Sequence, residues 1–548
     1  MDDHEKDVLG YRKITIEKMK TEEFDILIIG GGITGAGIAR DAVLRGYSVA
    51  LIEKNDFGYG TSSGSSKIVH AGLRYLAQKE FRLVREGSVE RKKILEMAPH
   101  LTRPIQFIIP LYSDTKYPKS RIRIAVWLYD LLAGFRNFTF HKIINPEKAR
   151  SILPSPLREE SFQGAAIYYG DGQMDDARLT LDVILSAEEY GANILNYCEA
   201  VSFQESSEGI IENVQVLDIM DNNKFTIKSH SIVLACGYWT EKITKSINSE
   251  TMTRIRPTKG IHIITKRFYD KDYALGLPIM DGRFFFILPF GKYNLVGTTD
   301  TDYNEDYDHV PVTKEDIDYL INATNFLFPE VLQEEDIYSA YSGIRPLILS
   351  PDAKSESDVS RTHEILRLKP NLYTIAGGKF TTYRAMAKDS VDYVEKLLGK
   401  KGKCRTHKVP LYGWISTKRK YWDSWAIVAM ENLIIRYKLP EDVAKHLLRY
   451  GKYYLKICEE IDKQPGLKEK VSQNRPNILA EIDYAIKYEK ALTLRDIMLR
   501  RTQIQLSENQ GLDCVEIVAR RMGYILGWSA AKEKEEIEKY NQALVWKA

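Results

Sequence analysis

A run of glycines between two short apolar segments constrains the fold of this chain more than any other feature. Residues 24–30 read FDILIIG, a β-favouring sequence typical of a buried parallel strand, and residues 47–53 (YSVALIE) form a second such run. The stretch 34–45 between them has a helical pattern and ends at Gly46. Strand, glycine-rich turn, helix and strand in this order predict a β-α-β unit that binds a dinucleotide.

The turn of this unit reads GGGITG over residues 30–35 and matches the pattern G-x-G-x-x-G. Gly30 permits the tight turn, Gly32 lets the backbone approach a pyrophosphate, and Gly35 lets the helix pack closely on the strand. The helix N-terminus then offers unpaired N–H groups and its positive dipole end to the phosphates. Glu53, at the end of the second strand, is placed to accept hydrogen bonds from ribose hydroxyls, which disfavours the 2′-phosphate of NADP.

Two later segments favour FAD over NAD. Residues 232–239 (IVLACGYW) and 373–384 (YTIAGGKFTTYR) each read as a strand followed by glycine, and both resemble segments of two-domain flavoproteins. Cys236 stands where those proteins usually have threonine. Either segment alone fits a buried strand before a turn equally well, but two of them spaced over most of the chain indicate FAD bound by a discontinuous domain.

A loop of small polar residues follows the β-α-β unit and leads into a predicted helix over residues 66–76. The loop resembles the one that passes under the isoalloxazine ring in flavoproteins. On the predicted helix, His70 and Arg74 share a face with Lys67, which suits an anionic substrate beside a flavin; a solvated basic face is the alternative. The candidate cofactor-binding residues are Gly30, Gly32, Gly35, Glu53, Thr61, Ser62, Ser63, Ser65, Ser66, Gly237, Gly378, Thr381 and Thr382.

Composition limits the class of protein. A chain of 548 residues is long enough for several domains, and its net charge of +3 gives no indication of a nucleic-acid partner. The five cysteines include no C-x-x-C pair, which predicts reduced thiols in the cytoplasm and no metal site. We find no apolar run of the ~18 residues needed to cross a membrane. Residues 1–23 are highly charged and read as a polar extension, either loosely ordered or docked on the surface.

These patterns predict an α/β protein with a discontinuous, Rossmann-like FAD-binding domain, an antiparallel-sheet substrate-binding or cap domain, and a C-terminal α-helical domain. Apolar runs broken by glycine and proline predict the antiparallel sheet over residues 254–297, and charged helical patterns dominate beyond residue 399. The predicted boundaries are 1–23 for the extension, 24–104, 160–254 and 355–399 for the FAD-binding domain, 105–159 and 255–354 for the cap, and 400–548 for the helical domain.

Eight short motifs, distributed over nearly the whole chain, point to one family of flavoproteins. They are residues 67–76 (KIVHAGLRYL), 97–101 (MAPHL), 175–178 (DDAR), 259–262 (KGIH), 296–300 (VGTTD), 341–347 (YSGIRPL), 377–384 (GGKFTTYR) and 492–502 (LTLRDIMLRRT). In these motifs the chain resembles the respiratory, FAD-dependent glycerol-3-phosphate dehydrogenases. The resemblance implies oxidation of sn-glycerol 3-phosphate to dihydroxyacetone phosphate, with hydride transfer from C2 to N5 of FAD.

The resemblance also implies roles for individual residues. The substrate phosphate suits arginine forks and lysine, and the residues expected to bind substrate are Arg74, Tyr75, Lys259, Arg361 and Lys379. The expected catalytic residues are His70, His262 and Arg345. His70 is the first choice for the base that takes the hydroxyl proton, and His262 is the second. Alternatively, His70 only forms a hydrogen bond to the substrate or the flavin, and His262 is an ordinary strand residue.

The electron acceptor is less directly indicated. Respiratory members of the family pass electrons to membrane quinone, whereas oxidase members make hydrogen peroxide and usually carry an extra internal insertion. Because no such insertion is evident, we expect a quinone-linked, cytoplasmic protein held peripherally at the inner face of the membrane. Residues 116–135 fit an interfacial helix or a core helix, and the basic run 401–420 fits a solvated linker or a lipid contact.

Three other functions remain open at this stage. A glycerol-3-phosphate oxidase would release peroxide in air, and a flavoprotein acting on amines or amino acids would leave the basic cluster without a phosphate to bind. A flavin-containing RNA-binding protein with a basic helical tail would show salt-dependent RNA binding, but the near-neutral charge argues against it. The C-terminal domain indicates packing or homodimer formation and no recognisable chemistry.

Overall fold

A computed structural model describes residues 8–72, 76, 80–134, 136–247, 255–278, 284–348 and 363–546. In chain order, strands β1 to β20 are Glu23–Ile29, Val49–Ile52, Ile68–Val69, Thr102–Pro104, Phe107–Tyr112, Thr139–Ile144, Phe162–Tyr169, Gly172–Met174, Asn193–Leu195, Cys198–Glu205, Ile211–Asp218, Asn223–Leu234, Ile255–Lys266, Ala274–Pro278, Phe284–Phe290, Tyr293–Gly297, Thr301–Asp302, Ile337–Ile348, His363–Lys369 and Leu372–Gly377. Helices α1 to α15 are Val8–Thr21, Ile33–Leu44, Phe81–Met97, Lys119–Ala133, Pro146–Arg150, Asp176–Glu189, Thr240–Ser246, Lys314–Leu327, Tyr383–Leu398, Trp422–Glu431, Glu441–Leu447, Tyr454–Lys463, Leu479–Glu489, Val515–Leu526 and Ala530–Gln542.

The predicted β-α-β unit lies at the centre of the first sheet. Strand β1 pairs in parallel with β12 on one side and β2 on the other, and β20 and β9 extend the parallel core at its two edges. The first half of β12 continues into an antiparallel arm with β11 and β10. Helix α2 packs against α6 and α9 and covers one face of the sheet. The predicted Rossmann-like fold is confirmed by this arrangement.

The second sheet is almost entirely antiparallel. Its strands follow the order β17-β13-β16-β15-β14-β5-β7-β6, and β18 pairs with β13 over nearly its full length. The antiparallel sheet predicted over residues 254–297 is therefore confirmed. The expectation that the FAD-binding domain resumes at residue 160 is wrong for β7, which pairs with β5 and β6 in the second sheet. The residues of β7 do not reveal in sequence which of the two sheets the strand joins.

The predicted helix over residues 66–76 is wrong for residues 66–72, whereas Leu76 is helical. Ile68 and Val69 form strand β3, which pairs with β8 in a small three-stranded sheet. Lys67 precedes them in the left-handed region at φ 56°, which ends any helical path. Both strand residues are β-branched and buried, and such side chains favour extended backbone over helix. His70 and Lys67 consequently do not share a helix face.

The C-terminal domain is helical, as predicted. Helices α10 to α12 surround one apolar cluster, while α14 and α15 enclose a second one around residues such as Met498 and Met522. Helix α13 contributes side chains to both clusters and joins them. Within the described residues, we find no helix long and apolar enough to cross a membrane.

The N-terminal extension docks on the first sheet through helix α1. Met19 is fully buried against the sheet. Arg12 is buried as well; its Nη2 lies 2.5 Å from Asp218 Oδ1, and its Nη1 donates to the carbonyl of Asn196 at 2.7 Å. The sequence left open whether the extension is loosely ordered or docked on the surface, and residues 8–21 are docked.

Replacing Arg12 tests how firmly this helix is held. The Arg12→Ala variant leaves the Asp218 carboxylate buried without its cation, so we expect it to lower the free energy of unfolding by about 3 kcal/mol. The neighbouring Lys13 is exposed, and Lys13→Ala should change that energy by no more than about 0.5 kcal/mol. Urea unfolding followed by tryptophan fluorescence measures both variants. Equal midpoints for the two variants would show that the Arg12–Asp218 ion pair contributes nothing to stability.

Candidate active site

A cavity of about 880 Å³ lies where the two sheets meet. Its walls come from the carboxyl ends of β1, β12 and β20 in the first sheet and from β13, β15 and β18 in the second. Helix α4 and the loop that follows β2 form two further walls of the cavity. Ligands of doubly wound folds bind at the carboxyl ends of the parallel strands, which is where this cavity is found.

The fingerprint turn forms one end of the cavity, and its glycines are required by close backbone contacts. Gly30 has φ 116°, and a Cβ there would lie 2.5 Å from the carbonyl oxygen of Ala235. A Cβ on Gly35 would lie 1.9 Å from the carbonyl oxygen of Gly30. Gly30 and Gly32 line the cavity, whereas Gly35 lets α2 pack on the turn. Gly30 and Gly35 therefore lie where a side chain would clash with backbone, and Gly32 lies on the cavity wall.

Glu53 lines the cavity beside this turn. Its Oε2 accepts a hydrogen bond from the Gly31 N–H at 2.7 Å, and its Oε1 accepts one from the Asn55 N–H at 2.8 Å. Burial raises the pKa of the Glu53 carboxyl, and the two backbone hydrogen bonds partly offset that effect. Each carboxyl oxygen retains a further lone pair for a ribose hydroxyl.

Hydroxyl groups hold the small-residue loop in place. Ser62 Oγ accepts from the Ile33 N–H at 2.9 Å and caps the N-terminus of α2. Thr61 donates to the carbonyl of Ile344 at 2.5 Å, and Ser65 donates to Asp176 at 2.8 Å. Ser63 donates to the carbonyl of Gly58 at 2.7 Å, so its hydroxyl serves the loop itself. Of the predicted loop residues, those that line the cavity are Thr61, Ser62, Ser65 and Ser66.

A histidine and an arginine meet on the opposite wall. His262 on β13 stacks on the Tyr341 ring with a centroid distance of 4.8 Å, and its Nε2 lies 2.8 Å from Ser66 Oγ. Burial lowers the pKa of His262 well below its usual value, and the positive charges of Arg345 and Lys67 lower it further. Arg345 donates to Thr298 Oγ1 at 3.0 Å and keeps about a third of its side chain exposed to the cavity. The wall thus presents a neutral imidazole close to a guanidinium.

Other predicted residues complete the lining. His70 and Lys379 both face the cavity. Gly237 and Gly378 line it with positive φ angles of 56° and 78°. Thr381 lines it too, whereas Thr382 Oγ1 donates to the Lys379 carbonyl at 3.3 Å, which keeps the turn before α9 closed. The predicted residues Arg74, Tyr75 and Arg361 lie outside the described residues.

Two basic residues of the family motifs lie apart from the cavity. Lys259 Nζ is 2.6 Å from Asp316, a residue of the capping box that starts α8. Lys67 Nζ is 2.5 Å from Asp176, and both side chains are fully buried. The structure does not bring Lys259 to the cavity with the other predicted substrate-binding residues, because a buried ammonium pairs with the nearest carboxylate.

Sequence reasoning missed several residues that shape the site. Tyr341, Thr298 and Asp300 lie in the motifs 341–347 and 296–300, but neither motif had suggested a role for them. Trp239 also lines the cavity, and its indole N–H is buried without a hydrogen-bond partner among the described residues. A bound cofactor can satisfy such a donor. The fingerprint turn, the Glu53 carboxylate and the free donors together fit FAD.

Comparisons with known proteins agree with this geometry. Residues 25–392 match the FAD dependent oxidoreductase family, and residues 404–533 match the C-terminal domain of alpha-glycerophosphate oxidase. The aerobic glycerol-3-phosphate dehydrogenase of Staphylococcus haemolyticus is 34% identical, over 97% of this chain and 96% of its own. The mitochondrial glycerol-3-phosphate dehydrogenase of Rattus norvegicus is also 34% identical, over 94% of this chain and 72% of its own.

Solved structures extend the comparison to the fold. The glycerol-3-phosphate dehydrogenase from Bacillus halodurans, complexed with FAD, superposes with a TM-score of 0.81 at 28% identity, and the match covers 97% of both chains. The L-alpha-glycerophosphate oxidase from Mycoplasma pneumoniae, with FAD bound, shares the fold at a TM-score of 0.57 and 18% identity, over 70% of this chain. FAD is the cofactor of this protein, and the chain belongs to the FAD-dependent glycerol-3-phosphate dehydrogenase family.

Proposed function

We propose that this protein oxidises sn-glycerol 3-phosphate to dihydroxyacetone phosphate and passes the electrons to membrane quinone. The observation that carries the proposal is the convergence of Arg345, Lys379, His70 and His262 on one cavity beside the cofactor turn. FAD, when bound, supplies the acceptor for the hydride that leaves C2. The side chains of the protein must then bind the anionic substrate and remove the proton of the C2 hydroxyl.

Arg345 and Lys379 supply the positive charge for the phosphate. Both lie on the cavity wall, and arginine binds phosphate through its planar fork of donors. Gly260 leaves the space that the arginine occupies, because a Cβ there would lie 2.5 Å from Arg345 Nη2. The hydrogen bonds from Arg345 to Thr298 and to the Thr299 carbonyl fix the guanidinium before substrate arrives.

His262 is the better placed of the two candidate bases. Its imidazole is buried, and its pKa is lowered, first by burial and then by the neighbouring Arg345 and Lys67. It is therefore neutral across the physiological pH range and ready to accept a proton. Ser66, which lines the cavity, connects His262 Nε2 to the substrate space. His70, although it was the first choice from sequence, is assigned to contact with substrate in this proposal.

Helix α4 is the proposed contact with the membrane. One side of it is buried through Ile122, Val126 and Tyr129, whereas Ile124, Trp127 and Leu131 on another side are 60%, 55% and 60% exposed. Exposed basic residues at its start, including Lys116, Arg121 and Arg123, complement the negative charge of anionic lipid. Ile124, Ala125 and Leu128 also line the cavity, so this helix would stand between the bilayer and the flavin site.

The reaction itself is tested by anaerobic mixing of the purified flavoprotein with sn-glycerol 3-phosphate. We expect the absorbance of oxidised flavin to bleach, because the substrate reduces it. A quinone analogue added next should restore the colour, while air should restore it slowly with little peroxide. Rapid reoxidation in air with stoichiometric peroxide would establish an oxidase instead. Yellow protein that does not bleach would overturn the substrate assignment.

Replacing each histidine tests which one is the base. His262→Asn should lower kcat by about 10²- to 10⁴-fold, whereas His70→Asn should raise KM more than it lowers kcat. Because the pKa of His262 is lowered from about 6.5, the wild-type kcat/KM should stay level as pH falls through 6.5. Steady-state assays from pH 5 to 8 measure both effects. A larger loss of kcat in the His70 variant would reverse the two roles.

The membrane contact is tested with matched surface variants. Replacing Ile124, Trp127 and Leu131 together with Gln should weaken binding to anionic lipid vesicles by about tenfold or more, since three apolar side chains no longer enter the bilayer. Because Ile124 also lines the cavity, reduction of a soluble dye is compared in a variant with only Trp127 and Leu131 replaced by Gln, where it should be unchanged. The control replaces Ile427, Val428 and Ile435, which are 60%, 63% and 75% exposed on and beside α10. A greater loss of vesicle binding in the control would place the membrane contact on α10.

A further inference from the structure

A buried carboxylate beside the cofactor turn is held by the C-terminal domain. Asp56 lies in the loop after β2, and its Oδ2 is 2.5 Å from Arg500 Nε and 2.7 Å from Arg501 Nη1. Its Oδ1 accepts from Arg501 Nη2 at 2.9 Å. The three side chains are at most 3% exposed. Burial alone would raise the pKa of Asp56, but Arg501 and Arg500 overcome it and hold that pKa far below its usual range.

The two arginines are themselves fixed by their surroundings. They end the π-helical turn Asp496–Arg501, a form of helix that is frequent at functional sites. Arg500 Nη2 pairs with Asp496 at 2.6 Å, and Arg501 Nη2 donates to the Glu489 carbonyl at 2.8 Å. The positions of the two arginines are therefore fixed by contacts within the C-terminal domain, whereas Asp56 belongs to the FAD-binding domain.

A short chain of contacts leads from Asp56 to the cofactor turn. The Gly58 N–H donates to the Gly31 carbonyl at 3.0 Å. Phe57 packs so closely on Gly31 that a Cβ there would lie 2.8 Å from its ring. Tyr59, which lines the cavity, has the Arg500 guanidinium 5.6 Å from its ring centroid. Residues 57–59 thus pack against the fingerprint turn, and the ion pairs of Asp56 hold these residues in place.

None of the described residues that line the cavity belongs to the C-terminal domain. Among the described residues that line the cavity, Met386 is the last in the chain. An effect of Arg500 and Arg501 on the cofactor must therefore pass through the loop that they hold.

We infer that Asp56, Arg500 and Arg501 are positioning residues through which docking of the C-terminal domain and binding of FAD stabilise each other. The loop 56–59 is held in the shape that completes the cofactor site only while the arginines are in place. By linkage, FAD stabilises the docked domain by the same factor as the docked domain tightens FAD. A purely structural ion pair would stabilise the FAD-free and FAD-bound proteins equally.

The Asp56→Asn variant separates these two cases. Titration of the FAD-free protein should give a Kd for FAD raised by roughly tenfold or more, and the thermal midpoint should fall further with FAD than without it. Arg419→Gln is the matched control, because Arg419 Nη1 donates to the carbonyl of Thr102 at 2.9 Å across the same domain boundary, between a different pair of segments. It should lower both midpoints alike and leave the Kd within about twofold.

Arg501→Lys provides a milder change if the Asp56 variant does not fold. Lysine keeps the charge but loses the two-pronged contact, so the Kd for FAD should still rise by about fivefold. The inference is overturned if Asp56→Asn or Arg501→Lys lowers stability while the Kd for FAD matches that of the wild type.

Amide hydrogen exchange tests the same linkage in the unaltered protein. Adding FAD to FAD-free protein should slow exchange in residues 489–506, although none of those that the structure describes lines the cavity. Helix α10, which packs in the other apolar cluster of the C-terminal domain, is the internal control and should change much less. Unchanged exchange over 489–506 would show that FAD binding does not reach the C-terminal domain.

Discussion

The backbone at the cofactor turn approaches its neighbours more closely than any side chain would allow, and the position of the site follows from this contact. A Cβ on Gly35 would lie 1.9 Å from the Gly30 carbonyl oxygen, and one on Gly30 would lie 2.5 Å from that of Ala235. These approaches set the N-terminus of α2 at the carboxyl ends of β1 and β12, where unpaired N–H groups attract phosphate. The second sheet then closes the cavity over that end of the first.

The charges around the cavity divide into two groups according to burial. Lys67, Lys259 and Arg501 are buried, and each pairs with a carboxylate, because an unpaired buried cation is costly. Arg345 and Lys379 lie on the cavity wall, where Arg345 Nη1 is 3.2 Å from Asp300 Oδ1 and about a third of the arginine side chain stays exposed. We therefore expect a basic residue of a family motif to reach substrate only when the fold leaves it on that wall, whatever its position in the motif.

Contiguous features of the fold could be predicted from the sequence, whereas pairings between distant segments could not. The strand, turn and helix of the cofactor unit follow from neighbouring residues, so residues 24–53 were predicted closely. The segment 66–76 was predicted to be helical, but pairing of Ile68 with Gln173 places Ile68 and Val69 in a strand. The arginine partners of Asp56 lie more than 400 residues away along the chain, and no local pattern in the sequence could indicate them.

The proposed base, His262, illustrates why the candidate site could be narrowed but not completed from sequence. An exposed histidine is partly charged near neutral pH, so proton removal is favoured by surroundings that keep the imidazole neutral. Burial of His262, with Arg345 and Lys67 nearby, supplies that surrounding. Lys67 contributes although its ammonium pairs with Asp176 and need not touch substrate. The low pKa of His262 depends on its place on β13, on burial by β18 and on Lys67 from the loop after β2. Only the folded chain brings these three together.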